Sequence, residues 1–368
     1  MRCKYYATFA SGFQNIVKDI LKKTVQDAVV VLLLDGAIVF ETAIPFDAVH
    51  CAYRGALRLH CFNNIFLALH VLEQKEKNGS AHDSANSSVI EAHMSIAEKN
   101  RKIRLADFQR TKNIRAFRIV TSYANRLVSV NEDLKRKMEH AIFKETGLVP
   151  NRSKPDVEFW FLYRNEGFSF FMRRLSKHTS FDATLRKGEL PPQLSYMLCW
   201  LSEPRKSDVV LDPFCGYGSI LRQRTCFPFE KFYAFDIKDE AARISKANIT
   251  EQFLKKCDVR KVDFFAIFRY LKEESVDTII TDPPWGIYEA LPMPTDQFYG
   301  AMLRIFCRLL KPDGVVVLLT ARHEEVAASI TCVKEFIVME SSDVLVSGRK
   351  ARVYKVKKTR DGRPAEQV

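Results

Sequence analysis

Residues 278–291 read TIITDPPWGIYEAL and place four unusual residues directly after an apolar run. The Thr-Ile-Ile-Thr run predicts a buried strand, and Asp282, Pro283, Pro284 and Trp285 follow it. A carboxylate, a rigid backbone and an aromatic face can together hold a flat group that carries N–H donors. The alternative is structural, because two prolines also end a strand without taking part in any chemistry.

Three further carboxylates stand at or near the ends of apolar runs. VVLDPFCGYGSIL places Asp212 before Gly216 and Gly218, KFYAFD ends in Asp236, and DVRKVDFF contains Asp263. A glycine turn after a strand lets a nucleotide-like ligand approach the main chain, and a carboxylate after the next strand can bind ribose hydroxyls. The loop is neither GxGxxG nor a phosphate-binding P-loop. Taken singly these residues also suit turns or caps, but their ordered occurrence favours a binding site.

The elements that position these residues alternate after residue 180. Strands are predicted at 209–211, 231–236, 276–281, 314–320, 335–339 and 351–357, with helices at 190–202 and 238–254. Strand–helix alternation indicates a parallel sheet covered on both faces. The short connection between the last two strands predicts an antiparallel pair at the end of that sheet.

The first 180 residues show a different, α+β pattern. Strands are predicted at 4–10, 29–34 and 37–42, and helices at 12–24 and 55–74. A second α+β unit follows the polar stretch 75–98. It contains a predicted strand at 117–124, a helix at 131–147 and a hairpin formed by 157–164 and 168–175.

The charge of the chain is concentrated in this first half. The net charge is +13, and residues 1–180 hold 28 Lys and Arg against 18 Asp and Glu, whereas residues 181–368 hold 29 against 26. Such asymmetry predicts contact with a polyanion, and nucleic acid is the leading partner. The predicted RNA-binding residues are Arg101, Lys102, Arg104, Arg110, Lys112, Arg115, Arg173 and Arg174. For the last two, a solvated surface is an equally good interpretation.

Composition places the protein among ordinary globular chains. The start, MRCKYYATFASGF, lacks the apolar segment of a signal peptide, and no apolar run is long enough to span a membrane. Nine cysteines without a CxxC pair predict reduced thiols and a cytoplasmic protein with no metal site. A monomer is expected.

From about residue 180 the chain resembles the class I S-adenosylmethionine-dependent methyltransferases, and its DPPW segment resembles the motif of those that act on amino groups. With its N-terminal half it resembles the RNA guanine-N2 methyltransferases that carry a THUMP domain. The resemblance implies an α/β, Rossmann-like fold with a seven-stranded mixed sheet. It also implies a ferredoxin-like α+β region (1–74), a polar linker (75–100), a THUMP-like RNA-binding region (101–178), a methyltransferase domain (179–358) and a flexible tail (359–368).

The resemblance further assigns S-adenosyl-L-methionine as the cofactor. Asp212, Phe214, Gly216 and Gly218 would line its methionine end, Asp236 would hold the ribose, and Asp263 with Phe264 would hold the adenine; Ile237 is also predicted to contact the cofactor.

The DPPW segment suits an amine because the lone pair of an exocyclic amine is delocalised into its ring. Asp282 and the Pro283 carbonyl could accept hydrogen bonds from both N–H groups, while Trp285 stacks on the base. We therefore predict methylation of guanine N2, with tRNA as the favoured substrate. Guanine N2 of rRNA, adenine N6 of a nucleic acid, and a catalytically silent RNA-binding adaptor remain alternatives. Whether an activator subunit is needed stays open.

Overall fold

The computed structural model describes residues 2–44, 59–73, 90, 93, 114–124, 126–176, 185, 186, 188–287, 289–346 and 348–360. These residues form two compact units. The first contains the described residues of Met1–Thr8, Leu21–Leu57 and Asn64–His178. The second contains those of Phe9–Ile20, Arg58–Asn63 and Thr179–Val368. No helix within the described ranges is both long enough and apolar enough to cross a membrane.

The first unit is built on one nine-stranded sheet. Its strands are β1 (Cys3–Thr8), β2 (Val29–Leu34), β3 (Ala37–Thr42), β4 (Asn64–Glu73), β5 (Ala116–Tyr123), β6 (Arg126–Leu127), β7 (Val149–Pro150), β8 (Val157–Tyr163) and β9 (Phe168–Arg174). Their order in the sheet is β2-β3-β1-β4-β9-β8-β5-β6, with β7 paired to β5. The antiparallel pair of β4 and β9 joins strands from both predicted N-terminal regions.

Two helices have both their ends within the described residues of the first 180 positions, α1 (Gln14–Thr24) and α2 (Glu132–Thr146). Helix α2 begins where the sequence predicts, because the Asn131 side chain accepts a hydrogen bond from the Leu134 amide at 2.8 Å. It ends at Gly147, whose φ of 70° is left-handed. The apolar face of α2, with Met138 and Ile142, packs on Phe117 and Phe159 of the sheet.

The helix predicted at 55–74 is wrong where the structure describes it. Residues Asn64–Glu73 form β4, which pairs with β1 on one side and with β9 on the other. Periodicity alone cannot separate a buried helix from a buried strand in the apolar run NIFLALHVL. The two neighbouring strands decide the outcome, because they satisfy the backbone of β4 on both edges.

The second unit has a seven-stranded sheet. Its strands are β10 (Val209–Asp212), β11 (Lys231–Asp236), β12 (Cys257–Lys261), β13 (Val276–Thr281), β14 (Leu310–Thr320), β15 (Phe336–Val346) and β16 (Arg349–Lys358). Their order in the sheet is β12-β11-β10-β13-β14-β16-β15. The helices are α3 (Pro192–Leu201), α4 (Ser219–Arg224), α5 (Asp239–Ala247), α6 (Thr295–Leu309) and α7 (His323–Thr331). Strand β16 is antiparallel to β14 and β15, and the other pairs are parallel.

This architecture confirms the predicted α/β, Rossmann-like fold with its terminal antiparallel pair. The strand order reverses between β10 and β13, which is the place where open α/β sheets bind ligands at the carboxyl ends of their strands. The core behind this edge is apolar: Leu211 and Ile279 of the sheet pack in one cluster with Phe298, Met302 and Phe306 of α6. A rigid core therefore holds the strand ends in place.

An N-terminal segment also belongs to the second unit. Residues Phe9–Ile20 contribute the fully buried Phe13, Val17 and Ile20. The indole of Trp200 on α3 donates a hydrogen bond to Asp19 Oδ2 at 3.1 Å. The second unit thus takes in Thr179–Val368 and, in addition, two segments that precede the predicted boundary at residue 179, Phe9–Ile20 and Arg58–Asn63.

Candidate active site

The loop after β10 begins with a buried carboxyl group. Asp212 is 1% exposed, and its Oδ1 accepts hydrogen bonds from Thr281 Oγ1 at 2.9 Å and from the Phe214 amide at 3.3 Å. Burial, together with the charge of Asp236, raises the pKa of Asp212 to about 7, against the effect of these two bonds. The Thr281 bond spans β10 and β13, so it joins the two strand ends where the strand order reverses.

Two glycines shape the loop for different reasons. Gly216 and Gly218 have φ values of 49° and 85°, which are left-handed. A Cβ on Gly218 would collide with Ser245 of α5, so this glycine permits close packing of the loop on the helix. A Cβ on Gly216 would meet no atom within 4 Å. The main chain at Gly216 therefore lies beside open space, as a ligand-binding loop requires.

Asp236, at the end of β11, is bonded to this loop. Its Oδ2 accepts from the Gly216 amide at 2.9 Å and its Oδ1 from the Lys238 amide at 2.8 Å. The side chain is half-buried, so each oxygen retains lone-pair capacity toward a ligand. The next residue, Ile237, is 62% exposed. An exposed apolar side chain beside a carboxylate suits the edge of a nucleoside.

Of the two residues predicted to hold the adenine, Asp263 is exposed but Phe264 is not. Phe264 is 4% exposed and packs on Phe214 with ring centroids 4.9 Å apart, so it belongs to the core and offers no ring face to a ligand. Asp263 is exposed and caps the 3-10 helix Phe264–Arg269 by accepting from the Phe265 amide at 3.0 Å. Phe265 is 37% exposed and is the aromatic side chain available at this position.

The DPPW loop follows β13 directly. Trp285 folds back so that its indole Nε1 donates to Asp282 Oδ1 at 2.9 Å. Burial, with a smaller effect of the Asp212 charge, raises the pKa of Asp282 to about 8, although the indole hydrogen bond acts in the opposite direction. The site therefore holds two neighbouring carboxyl groups that both retain protons more strongly than an ordinary Asp.

Two residues outside the motif, Tyr299 and Arg322, anchor this loop through its backbone carbonyls. Tyr299 on α6 donates its hydroxyl hydrogen bond to the Pro284 carbonyl at 3.2 Å and also lies 3.2 Å from Thr320 Oγ1. Arg322 donates from Nε to the Trp285 carbonyl at 2.8 Å. With these two carbonyls occupied, the Pro283 carbonyl stays the predicted second acceptor for an amine.

Sequence reasoning missed Thr281, Tyr299 and Arg322. Thr281 stands next to Asp282, and a polar residue at the end of an apolar strand was the available signal. Tyr299 and Arg322 carry no local signal, because their partners lie 15 and 37 residues away along the chain.

Most of the predicted RNA-binding residues lie outside the described residues, namely Arg101, Lys102, Arg104, Arg110 and Lys112. Arg115 is described and exposed.

Arg173 and Arg174, which were predicted to contact RNA or to form a solvated surface, are not exposed in the structure. Arg173 is only 6% exposed, and Arg174 is largely buried with Nη1 3.0 Å from Glu158 Oε2 and Nη2 bonded to Asn64. Because both side chains are largely buried, the structure does not support RNA contact or a solvated surface for either.

Comparison with known proteins agrees with the fold and the motifs. Residues 182–350 match the UPF0020 family model, described as an RMKL-like methyltransferase domain. A tRNA (guanine(6)-N2)-methyltransferase of Thermus thermophilus is 28% identical over 196 residues, which are 52% of this chain and 57% of that relative. A protein of Methanothermococcus thermolithotrophicus named "Probable tRNA (guanine(10)-N2)-dimethyltransferase" is 30% identical over 35% of this chain and 80% of its own length. The chain thus spans little more than half of the Thermus relative.

Solved structures share the fold across both units. TrmN from Thermus thermophilus has a TM-score of 0.75 at 20% identity, covering 97% of this chain and all of that one. SMU.472, solved as a complex with SAH, has a TM-score of 0.65 at 13% identity and covers 96% of this chain and 97% of its own. By these sequence matches the chain belongs to the family of class I RNA guanine-N2 methyltransferases that carry a THUMP domain.

Proposed function

We propose that this protein is an S-adenosylmethionine-dependent methyltransferase that methylates the exocyclic N2 amine of a guanosine in tRNA. The observation that carries the proposal is the Asp282-Pro283-Pro284-Trp285 loop at the carboxyl end of β13, beside the strand-end carboxyl of Asp212. The curated relatives named above act, by their names, on guanine N2 of tRNA.

The residues present fit the proposed cofactor. Open space beside the Gly216 backbone, the half-buried Asp236 carboxylate and the exposed Ile237 form a surface for a nucleoside at the ends of β10 and β11. Asp236 would accept from ribose hydroxyls, and Asp263 with Phe265 would border the adenine. When bound, S-adenosylmethionine supplies an electrophilic methyl group.

The role of the DPPW loop is to hold the amine. Asp282 Oδ2 and the Pro283 carbonyl would accept hydrogen bonds from its two N–H groups, which orients the nitrogen lone pair for in-line attack. The amine proton becomes acidic as its nitrogen forms the new bond, and the ionised Asp282 carboxylate is the group placed to receive it. Trp285 offers a ring on which the extruded base would stack.

The RNA substrate is supported by charge. Residues 1–180 carry an excess of ten positive charges, as a protein that neutralises phosphates requires.

The test is methylation of total small RNA and of rRNA with isotope-labelled cofactor, followed by nucleoside analysis. We expect label in N2-methylguanosine from the tRNA fraction with the wild-type protein and none with Asp282→Ala. Label in N6-methyladenosine would contradict the assigned base, and label only in rRNA would contradict the assigned RNA. Absence of cofactor binding in calorimetry would contradict the methyltransferase proposal, and RNA binding without cofactor binding would favour a silent RNA-binding adaptor.

A further inference from the structure

The indole of Trp285 contacts the carboxylate that the proposed chemistry needs. Its Nε1 lies 2.9 Å from Asp282 Oδ1, and an indole N–H can only donate a hydrogen bond. The two residues between them are prolines, whose fixed φ angles turn the loop back toward the strand end. A phenylalanine at this position would keep an aromatic face but would have no donor.

The backbone of Trp285 is fixed from the opposite side. Arg322 Nε donates to its carbonyl at 2.8 Å, and Tyr299 donates to the preceding carbonyl of Pro284 at 3.2 Å. Burial raises the pKa of Tyr299 to about 12, so its hydroxyl stays a neutral donor in the physiological range. The position of the indole relative to Asp282 is therefore set by α6 and by the residue before α7.

A donor on Oδ1 has two consequences for the carboxyl group. It takes up one lone pair of Oδ1 and leaves both lone pairs of Oδ2 for an incoming amine, and it favours the ionised form of the carboxyl group over the protonated form. Other titratable and charged groups stand near this loop. The Asp212 carboxyl at the end of β10 opposes ionisation of Asp282, and the Tyr299 hydroxyl and the Arg322 guanidinium stand across the loop.

We propose that Trp285 is a positioning residue for Asp282, whose indole N–H holds Oδ1 and reserves Oδ2 for the amine, in addition to the stacking that its ring would provide. The inference rests on the proposed function for its catalytic meaning, but the hydrogen bond itself can be tested without substrate.

The first test observes the indole directly in the full-length protein without cofactor or RNA. The chain has three tryptophans, and each indole donates to a carboxylate: Trp160 to Glu158 at 3.0 Å, Trp200 to Asp19 at 3.1 Å, and Trp285 to Asp282. Nitrogen-15 labelling of the indoles should therefore give three N–H signals, and Trp285→Phe identifies the one that belongs to Trp285. We expect this signal to shift with a midpoint near pH 8, the pKa of Asp282, and to stop titrating in Asp282→Asn.

Trp160 is the internal control, because its partner Glu158 has a lowered pKa and stays ionised around pH 8. A Trp285 signal that does not move with pH, or that moves equally in Asp282→Asn, would refute the hydrogen bond and with it the positioning role.

The second test separates positioning from stacking by kinetics. Trp285→Phe keeps the ring and loses the donor, so kcat should fall about tenfold or more, while KM for RNA stays within about twofold. The acid limb of the pH profile should also move to higher pH. Trp285→Ala loses both features and should raise KM as well.

Equal kcat and an equal pH profile for Trp285→Phe and wild type would overturn the proposal, provided that thermal unfolding shows both proteins folded. If the wild type methylates no RNA, the proposed function fails, and the indole titration still decides whether Trp285 holds Asp282.

Discussion

The two carboxyl groups of the site differ from ordinary Asp side chains in the direction of their pKa shifts. In Asp343 the hydrogen bond from the Arg352 guanidinium lowers the pKa, and in Glu158 the Trp160 indole and the Arg174 guanidinium lower it against the effect of burial. Asp212 is buried and Asp282 is half-buried, and the groups that donate to them are a hydroxyl, an amide and an indole in place of cations. Such an arrangement costs stability in the free protein and suits a site that receives a positively charged or proton-releasing ligand.

The pH dependence of activity follows from Asp282. The ionised carboxylate is the form that accepts from the amine, and its pKa is raised to about 8. We expect kcat/KM to rise with pH and to level off above about 8, with Asp212 adding a second limb near 7. The measurement is kcat/KM for RNA across this range. An acid limb near the ordinary Asp pKa of about 4 would contradict the assignment.

The raised pKa of Asp282 also predicts how the stability of the protein depends on pH. Because the pKa of Asp282 is about 8 in the folded chain and about 4 in the unfolded chain, the folded state holds an extra proton between these values. Stability is therefore lost as pH rises through this window. Because asparagine does not ionise, Asp282→Asn removes this pH-dependent loss of stability. The unfolding temperature of the variant should exceed that of the wild type by at least ~2–4 °C above pH 8 and should match it near pH 4. A difference that does not grow with pH would argue against the raised pKa.

At the scale of elements, the glycine loop after β10 offers a test of the cofactor site. Gly216→Ala places a Cβ in open space at a φ of 49°, so it should cost only about 1 kcal/mol of stability and yet obstruct a ligand beside the main chain. We expect calorimetry to show at least tenfold weaker binding of S-adenosylmethionine, roughly 1.4 kcal/mol.

Gly147→Ala is the matched control. Gly147 has a φ of 70°, and a Cβ there would also meet no atom within 4 Å, but it lies after α2 in the first unit. This variant should lose similar stability and keep the affinity for cofactor. Equal affinities in both variants would place the cofactor elsewhere.

Helix α2 presents a basic surface in the described part of the first unit. Arg136, Lys137 and Lys144 are exposed, and none has an ion-pair partner among the described residues. Phe143 lies among them and is 47% exposed. Unneutralised cations around an exposed aromatic ring suit RNA, whose phosphates and bases they can contact.

The prediction for this surface is a loss of salt-sensitive RNA binding. Replacing Arg136, Lys137 and Lys144 by Gln should weaken tRNA binding and reduce the slope of log Kd against log salt by about two to three. Replacing the exposed Lys206, Lys272 and Lys334 of the second unit by Gln makes the same change in net charge. If both triple variants bind tRNA equally, net charge alone explains the affinity and α2 is not the contact surface.

At the scale of the whole molecule, the division into units changes how the chain can be dissected. A fragment of residues 179–368 contains every predicted cofactor residue but lacks Phe9–Ile20, whose buried Phe13, Val17 and Ile20 belong to the same unit. Burying each such side chain contributes about 1.5–3 kcal/mol. We expect this fragment to unfold at a lower temperature than the full-length protein and to be stabilised by a synthetic peptide of residues 9–24. A fragment that is as stable alone would show that the segment is dispensable.

Local patterns in the sequence were sufficient to predict the strand ends that carry Asp212, Asp236 and Asp282. Each follows an apolar run and precedes glycine, proline or a helix start, and these signals act over a few residues. The alternation of strands and helices then determined the class of sheet, because parallel strands need helical crossovers between them.

Only the tertiary structure decided which of two neighbouring residues is buried, which charged residues are paired, and which apolar run forms a strand. It turned Phe264 into the core and Phe265 outward, enclosed Arg174 with Glu158, and made 64–73 a central strand. It also brought Thr281 to Asp212 and Arg322 to the Trp285 carbonyl. These outcomes depend on partners 16 to 108 residues away, such as Glu158 for Arg174 and Arg174 for Phe66, and local periodicity carries no information about partners at that distance.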